Sequence, residues 1–245
     1  MSRFFVEAGQ IGQSTIEITD ENDVKHLTKS LRLKIGDNLE VSDGNKWEYI
    51  CSIKSIDKEA VVLEILDKQT FSREPEFYVT LFQGMPKSGK MDLIIQKTVE
   101  LGVSKIQPVY MDRSVVTDNG KTGKKTVRWQ KIADEAAKQC RRGRVPEICE
   151  PVDFQQALEM MTQHQYIIFP YENQTGNTMK NALEKVEGQG KTIAVIIGPE
   201  GGFSDVEAAK LEDIGAQVVS LGGTILRTET AAIAALAMIR YQLEL

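Results

Sequence analysis

The chain has 245 residues, of which 41% are hydrophobic, with 30 lysines and arginines against 35 aspartates and glutamates and a formal net charge of −5. That length accommodates one domain or two, and the apolar fraction supports a packed core and argues against a disordered chain. The acidic balance excludes a protein that coats nucleic acid with uniform positive charge, though not one with a local basic face.

Three cysteines (Cys51, Cys140, Cys149), no CxxC pair and only two histidines (His26, His164) make neither a disulfide framework nor a zinc site. The N-terminal MSRFFVEAG carries no apolar leader, and the longest apolar run, Ala231–Ile239, is too short to span a bilayer. The expectation is a reduced, soluble, cytosolic protein without a metal and without a membrane partner.

Residues 1–70 read mostly as strands. Arg3–Ala8 and Ser14–Thr19 are short β segments, and Asp20–Leu31 is helical, with Thr19 or Asp20 as its cap and Val24, Leu27 and Leu31 on one face. Leu39–Asp43, the turn Asp43-Gly44-Asn45 and Lys46–Ile56 predict a hairpin, and Glu59–Leu66 a further strand. This is a small β-rich unit with one helix, in the manner of a barrel. Phe71–Glu76 is polar and contains proline, and reads as a linker.

From Phe77 strands and helices alternate, the pattern of an α/β fold on a parallel sheet. Strands are expected at Phe77–Gln83, Ile106–Met111, Gln165–Pro170, Thr192–Ile197 and Ala216–Leu221. Helices are expected at Met91–Val103, Thr126–Arg142, Thr178–Val186, Ser204–Ile214 and Thr228–Leu245. Ser204 and Glu207 have capping-box spacing. The last helix, apolar on every face over Ala231–Ile239, is expected to be buried all round.

Three places in this half could carry chemistry. Gly84-Met-Pro-Lys-Ser-Gly89-Lys90-Met91 nearly matches a phosphate-binding loop. Met91 offers no hydroxyl for magnesium, however, and Pro86 removes an amide donor, so a basic loop fits better. Gly198-Pro-Glu-Gly-Gly-Phe-Ser follows a buried strand and opens a capped helix. At the carboxyl end of a parallel strand that is a ligand-binding position, or else an ordinary turn. Leu221-Gly-Gly-Thr-Ile-Leu-Arg227 repeats the arrangement before the last helix, where Arg227 stands near the positive end of the helix dipole. Two glycine turns at strand ends of one sheet favour a shared pocket. Taken without a ligand, Glu200 reads as solvated, and Arg227 as a surface partner of Glu229. His26 lies on the helix of the first domain, and His164 in a loop where it is expected to be solvated.

Gly198-Pro-Glu-Gly-Gly-Phe-Ser followed by Leu221-Gly-x-x-Ile-Leu-Arg-x-Glu-Thr-Ala resembles the C-terminal signature of the SPOUT methyltransferases, and more narrowly the RsmE family, which methylates N3 of a uridine in 16S ribosomal RNA. The resemblance extends to Arg3-Phe4-Phe5, to His26-Leu27 with Leu31-Arg32 and Gly36-Asp37, and to Gly84-x-Pro86-Lys87-x-x-Lys90 with Gln96-Lys97-x-x-Glu100-Leu101-Gly102. It also takes in Trp129, Glu135-Ala136, Gln139, Arg142 and Pro146. Asp112-Arg113-Ser114 departs from the expected Glu-Arg-Ser and keeps the charge.

The resemblance implies a PUA-like RNA-binding domain at residues 1–72 and a SPOUT α/β-knot methyltransferase domain at 73–245, with a C-terminal trefoil knot, working as a homodimer. S-adenosylmethionine (SAM) is the implied cofactor, with Ile197, Gly198, Gly201, Leu221, Gly222, Ile225 and Leu226 lining its pocket. Arg227 is the implied charge stabiliser or substrate clamp, and Glu200 a base or an organiser of the cofactor loop. Arg3, Arg32, Lys87, Lys90, Arg113 and Arg142 are the candidates for RNA contact, with 16S ribosomal RNA or the small ribosomal subunit as the partner.

Residues 113–144 carry ten basic and three acidic side chains, so a local +7 sits in a chain otherwise at −12. The stretch is either a phosphate-contacting surface or a solvated helix face with a mobile loop at Gly120–Gly123. At this point three other readings stay open: a non-enzymatic RNA-binding factor, a P-loop nucleotidase and a SPOUT enzyme with another RNA target.

Overall fold

The structure is a computed structural model, and it describes residues 3–87, 89–116, 122–172, 176–186, 188 and 190–244. The chain divides into two compact units, Met1–Glu74 with Ala137–Val145, and Pro75–Ala136 with Pro146–Leu245. The first unit is thus discontinuous. The mobile loop expected around residue 120 lies outside the described residues, except that Gly123 stands in a helix.

In the first unit, β1 (Arg3–Phe5), β2 (Thr15–Ile18), β3 (Asn38–Ser42), β4 (Trp47–Ile56) and β5 (Val61–Thr70) form one sheet in the order β1-β3-β4-β5-β2. β1 runs parallel to β3, and the other pairs are antiparallel. Alternating residues fill the core, as with Ile16 and Ile18 on β2, Leu39 and Val41 on β3, and Val61 and Leu63 on β5. The long β4–β5 hairpin shifts register at Ile50/Cys51 and again at Ile53/Ser55, irregularities of the kind that bend a strand pair. Burial here pushes the Cys51 thiol up to about 12, so the group is inert at neutral pH.

Helix α1 (Glu21–Lys25) starts at Asp20, whose carboxylate accepts the Asp23 N–H at 2.9 Å. It widens into a π-turn over His26–Ser30, closed by Leu31 N–H to the His26 carbonyl. Arg32 ends it at φ 53°, a left-handed position that ordinarily takes glycine.

The segment 137–145 is held to this sheet by buried charge. Arg3 donates to Glu40 at 2.9 Å, to Glu48 at 2.6 Å and to the Arg142 carbonyl at 3.0 Å. The Arg142 guanidinium donates to Glu74 at 2.8 Å, and Glu74 also accepts the Gly143 N–H at 2.7 Å. Arg3 and Arg142 are only 3% and 6% exposed, which corrects the expectation that their side chains face RNA. The expected linker is likewise more than a spacer, since Glu74 anchors that return segment.

In the second unit the strands are β6 (Tyr78–Gly84), β7 (Lys105–Tyr110), β8 (Glu147–Ile148), β9 (Val152–Asp153), β10 (Tyr166–Pro170), β11 (Thr192–Ile197) and β12 (Gln217–Val219). The sheet order is β12-β10-β11-β6-β7-β8 with β9 also on β7, and every pairing is parallel. β6 and β11 are buried almost throughout, as strands covered on both faces must be.

The helices are α2 (Lys90–Glu100), α3 (Thr122–Cys140), α4 (Phe154–Met161), α5 (Met179–Leu183), α6 (Asp205–Asp213) and α7 (Thr228–Glu244). α3 begins four residues before the expected start. α4, β8 and β9 were not expected at all, although Asp153 and Gln156 form a capping box whose spacing is visible in the sequence. α7 is not buried all round: Thr228, Ala232, Ala235, Leu236 and Ile239 pack inward, while Ile233, Ala237 and Met238 are half-buried and Tyr241 is exposed.

His164 is likewise not solvated. Its Nδ1 lies 3.2 Å from the Met160 carbonyl, Thr80 Oγ1 lies 2.9 Å from Nε2, and its ring meets Phe82 edge-on. Burial holds its pKa below the ordinary value, so it is a neutral structural group at pH 7.

Replacing Arg3 by methionine leaves Glu40 and Glu48 without their shared guanidinium. The expected loss is about 3–5 kcal/mol, read as a lower urea midpoint by far-UV circular dichroism. An unchanged midpoint would show that the buried pairs do not hold the first unit together.

Candidate active site

The sheet order places the carboxyl ends of β12, β10 and β11 side by side. A cleft of about 430 Å³ opens there, walled by both glycine turns, by Pro170-Tyr171-Glu172 after β10 and by the first turn of α7. Ile197, Gly198, Gly201, Leu221, Gly222, Ile225 and Leu226 all line it, together with Glu200, Arg227 and Lys90. The tertiary structure therefore gathers the two motifs, 24 residues apart from Gly198 to Gly222, into one cavity.

Each wall has a local cause. β11 ends at Ile197, and the Gly202 N–H donates to the Pro199 carbonyl at 3.0 Å to close the turn before α6. A side chain at Gly198 would bring its Cβ within 2.9 Å of the Phe203 ring, so this glycine is required by packing as well as by any ligand. Gly222 is different. It sits at φ 134° with open space where a Cβ would point, a stretch of backbone left accessible to a ligand. Ser204 and Glu207 cap α6 reciprocally, and Ser204 also donates to Asp112 at 2.7 Å. Asp112 N–H donates to Glu207 at 2.9 Å, and Arg113 reaches the Gly201 carbonyl at 3.3 Å. The Asp112–Ser114 turn thus braces the glycine loop.

Two further connections fix the cleft from beneath. The Thr228 hydroxyl, buried at the start of α7, donates to the Gly198 carbonyl at 2.6 Å and accepts from Gln83 Nε2 at 2.9 Å. Lys90, at the start of α2, pairs with Glu200 at 3.0 Å and with Glu229 at 3.1 Å, while Lys87 N–H donates to Glu200 at 3.1 Å. The near phosphate-loop motif is therefore a brace for the glycine turns. Glu229, the surface partner of Arg227 in the alternative without a ligand, is paired with Lys90, and Arg227 adds only its charge.

Partial burial pushes the Glu200 carboxyl up, but its own backbone N–H, the Lys90 ammonium and the Lys87 N–H outweigh burial and bring it below the ordinary value. Glu229 is lowered in the same way, with Arg227 contributing. Hydrogen bonding to Glu200 raises the Lys90 pKa in return. All three groups are charged at neutral pH. A carboxylate so lowered and so engaged is a weak proton acceptor, which favours the organising role for Glu200 over the role of base. The Arg227 guanidinium is exposed and makes no ion pair or hydrogen bond with any described residue.

Sequence reasoning missed Gln83, Thr228 and Tyr171-Glu172. The first two reach the site through a hydrogen-bond chain, and the last pair through the position of β10 beside β11, neither of which a linear pattern encodes. Among the other candidates, Arg32, Lys87 and Arg113 have exposed side chains. Of the basic residues in 113–144, Arg128 pairs with Asp92, Lys138 with Asp23, Arg141 with Glu40 and Arg142 with Glu74. Lys121 lies outside the described residues. Four of the ten cations are thus matched by acids from elsewhere in the chain, while Arg113, Lys124, Lys125, Lys131 and Arg144 have no ion pair among the described residues. Those residues contain no group of three His, Cys, Asp or Glu that could hold a metal ion, and no helix long and apolar enough to cross a membrane.

Thr228→Val keeps shape but takes from the Gly198 carbonyl its Thr228 donor and from one Gln83 amide N–H its acceptor, the other bond of that amide, to the Gly84 carbonyl, remaining. It is expected to cost about 1–3 kcal/mol and to lower Tm by several degrees in a thermal melt, while Thr228→Ser stays close to wild type.

Residues 73–240 match the family model of an RNA methyltransferase domain, and residues 18–66 that of an RNA methyltransferase PUA domain. Ribosomal RNA small subunit methyltransferase E of Bacillus subtilis is 34% identical over 252 aligned positions covering 100% of this chain and 98% of the relative. The crystal structure of a ribosomal RNA small subunit methyltransferase E from Neisseria gonorrhoeae bound to S-adenosyl methionine superposes with a TM-score of 0.86 at 30% identity, covering 98% of this chain and 97% of that one. A methyltransferase structure from Legionella pneumophila with bound SAM gives 0.84 at 30% identity, covering 98% and 96%. With likeness in sequence and in structure running over nearly its whole length, the chain belongs to the ribosomal RNA small subunit methyltransferase E family of RNA methyltransferases.

Proposed function

We propose that this protein transfers the methyl group of SAM to N3 of a specific uridine in 16S ribosomal RNA. The observation that carries the reading is Arg227, exposed and without an ion pair or hydrogen bond to any described residue, at the mouth of a cleft built by both glycine turns. The cleft suits the cofactor. Its volume lies in the ligand-pocket range, Ile225 is 82% exposed beside Leu221 and Leu226 as an apolar wall, and Gly222 leaves its backbone open. SAM when bound supplies an electrophilic methyl group on a sulfonium.

The chain's own residues then have definable tasks. Uracil N3 is an imide nitrogen, nucleophilic once its proton leaves, and the resulting negative charge spreads onto O2 and O4. The Arg227 guanidinium at the cleft mouth favours that charged form by placing fixed donors where charge develops. Glu200, held by Lys90 and by the Lys87 N–H, keeps the Gly198–Gly202 turn in place, and Thr228 holds the same turn through the Gly198 carbonyl. The confined cleft orients the uracil, which must be unpaired or flipped out because N3 is a base-pairing position.

The RNA itself is contacted in this reading by exposed cations, Arg32, Lys87, Arg113, Lys124 and Lys131, and Lys90 serves the site from within. The half-buried apolar face of α7 with exposed Tyr241 supports a homodimer, and a ribosomal RNA substrate supports a cytoplasmic location.

Arg227→Ala is expected to lower kcat for methyl transfer by roughly 10²–10³-fold while SAM binding by calorimetry stays within a few fold. Wild-type turnover in that variant would overturn the assignment, and mass-spectrometric mapping of methylated uridines in 16S RNA from a deletion strain tests the target. Lys124→Glu with Lys131→Glu is expected to weaken binding of 16S RNA fragments and to flatten its salt dependence, with SAM affinity unchanged.

A further inference from the structure

We propose that Glu172 is a cofactor-recognition residue, its carboxylate accepting hydrogen bonds from the O–H and N–H donors of SAM. The proposal rests on the SAM reading of the cleft. Four charged side chains line that cavity: Lys90, Glu172, Glu200 and Arg227. Lys90 and Glu200 neutralise each other. Glu172 makes no hydrogen bond or ion pair with any described residue, although it stands at the end of β10 against the glycine turn.

Its placement is fixed by its neighbours. The preceding Tyr171 donates its N–H to the Val219 carbonyl at 3.0 Å. The Tyr171 ring, half-buried against the core, stacks on Phe169 at 5.0 Å and meets Phe203 edge-on at 6.2 Å. The Glu172 carboxylate lies beside Gly202, where Oε1 would be 3.2 Å from a Cβ at that position. The backbone leading into Glu172 is therefore anchored through Tyr171, and the two carboxylate oxygens accept no hydrogen bond from any described residue beside the cavity.

An ionised carboxylate only accepts hydrogen bonds, and bonds from O–H or N–H⁺ groups to it are stronger than neutral ones. SAM offers a vicinal ribose diol, an α-ammonium and an adenine amine. Acidic side chains at strand ends take a ribose diol in other nucleotide-binding folds. Either the diol or the ammonium satisfies Glu172, and the two are separable by ligand.

Isothermal calorimetry on the full chain and on Glu172→Gln and Glu172→Ala, with S-adenosylhomocysteine and 5′-methylthioadenosine as probes, decides the matter. Circular dichroism confirms that the exposed substitution leaves the fold intact. The expected result is a loss of affinity of about tenfold or more for S-adenosylhomocysteine in both variants. An equal loss for methylthioadenosine, which lacks the amino acid but keeps the ribose, assigns the nucleoside donors. A loss confined to S-adenosylhomocysteine assigns the ammonium. Variants that bind both ligands within twofold of wild type overturn the proposal and leave the SAM reading standing. Wild-type protein that binds neither ligand overturns both.

Discussion

One ammonium group, that of Lys90, ties together the pieces on which the cleft depends. It stands at the start of α2 and bridges Glu200 in the first glycine turn and Glu229 in the first turn of α7. All three side chains are partly sheltered, so the attraction is less screened than at an open surface. Without this pairing two carboxylates would stand close together beside the cavity. With it, three segments that are distant in sequence share one fixed geometry, and Glu229 is held by Lys90 while the Arg227 guanidinium makes no ion pair or hydrogen bond with any described residue.

Beneath that ionic brace lies a neutral one. Gln83 at the end of β6, Thr228 at the start of α7 and the Gly198 carbonyl form a buried hydrogen-bond chain. Buried polar groups carry a large penalty when unpaired, so such a chain specifies one arrangement more sharply than apolar packing does. The parallel sheet supplies the platform, since its register aligns the ends of β6 and β11 and brings β10 and β12 alongside. The functional division is clear: backbone and apolar groups shape the pocket, while Arg227 and Glu172, side chains of opposite sign, make no ion pair with any described residue. A cationic cofactor and a substrate that develops negative charge call for both signs.

The charge distribution shows the limit of counting along a chain. Residues 113–144 hold ten cations, yet Arg128, Lys138, Arg141 and Arg142 are matched by Asp92, Asp23, Glu40 and Glu74. Arg3 and Arg142, which a motif comparison groups with RNA-contacting residues, serve as buried ties in the first unit. Lys124 and Lys131 keep their charges exposed. Any electrostatic attraction for RNA therefore comes from fewer residues than the linear count suggests.

Much of the architecture was legible in the sequence, because local rules carry it. Period-two alternation marked β2, a near-continuous apolar run marked β11, and Ser204 with Glu207 marked the start of α6. The glycine turns after β11 and β12 announced a pocket, since few other residues admit those backbone paths. What only the tertiary structure decided is which strand stands beside which, and which charge meets which. That is why α7 shows a half-buried face, why His164 is a neutral half-buried group, and why Glu172 and Thr228 belong to the site. Local sequence determines the conformation of a segment, but burial and pairing depend on groups far away in the chain, and those fix the state of each charge.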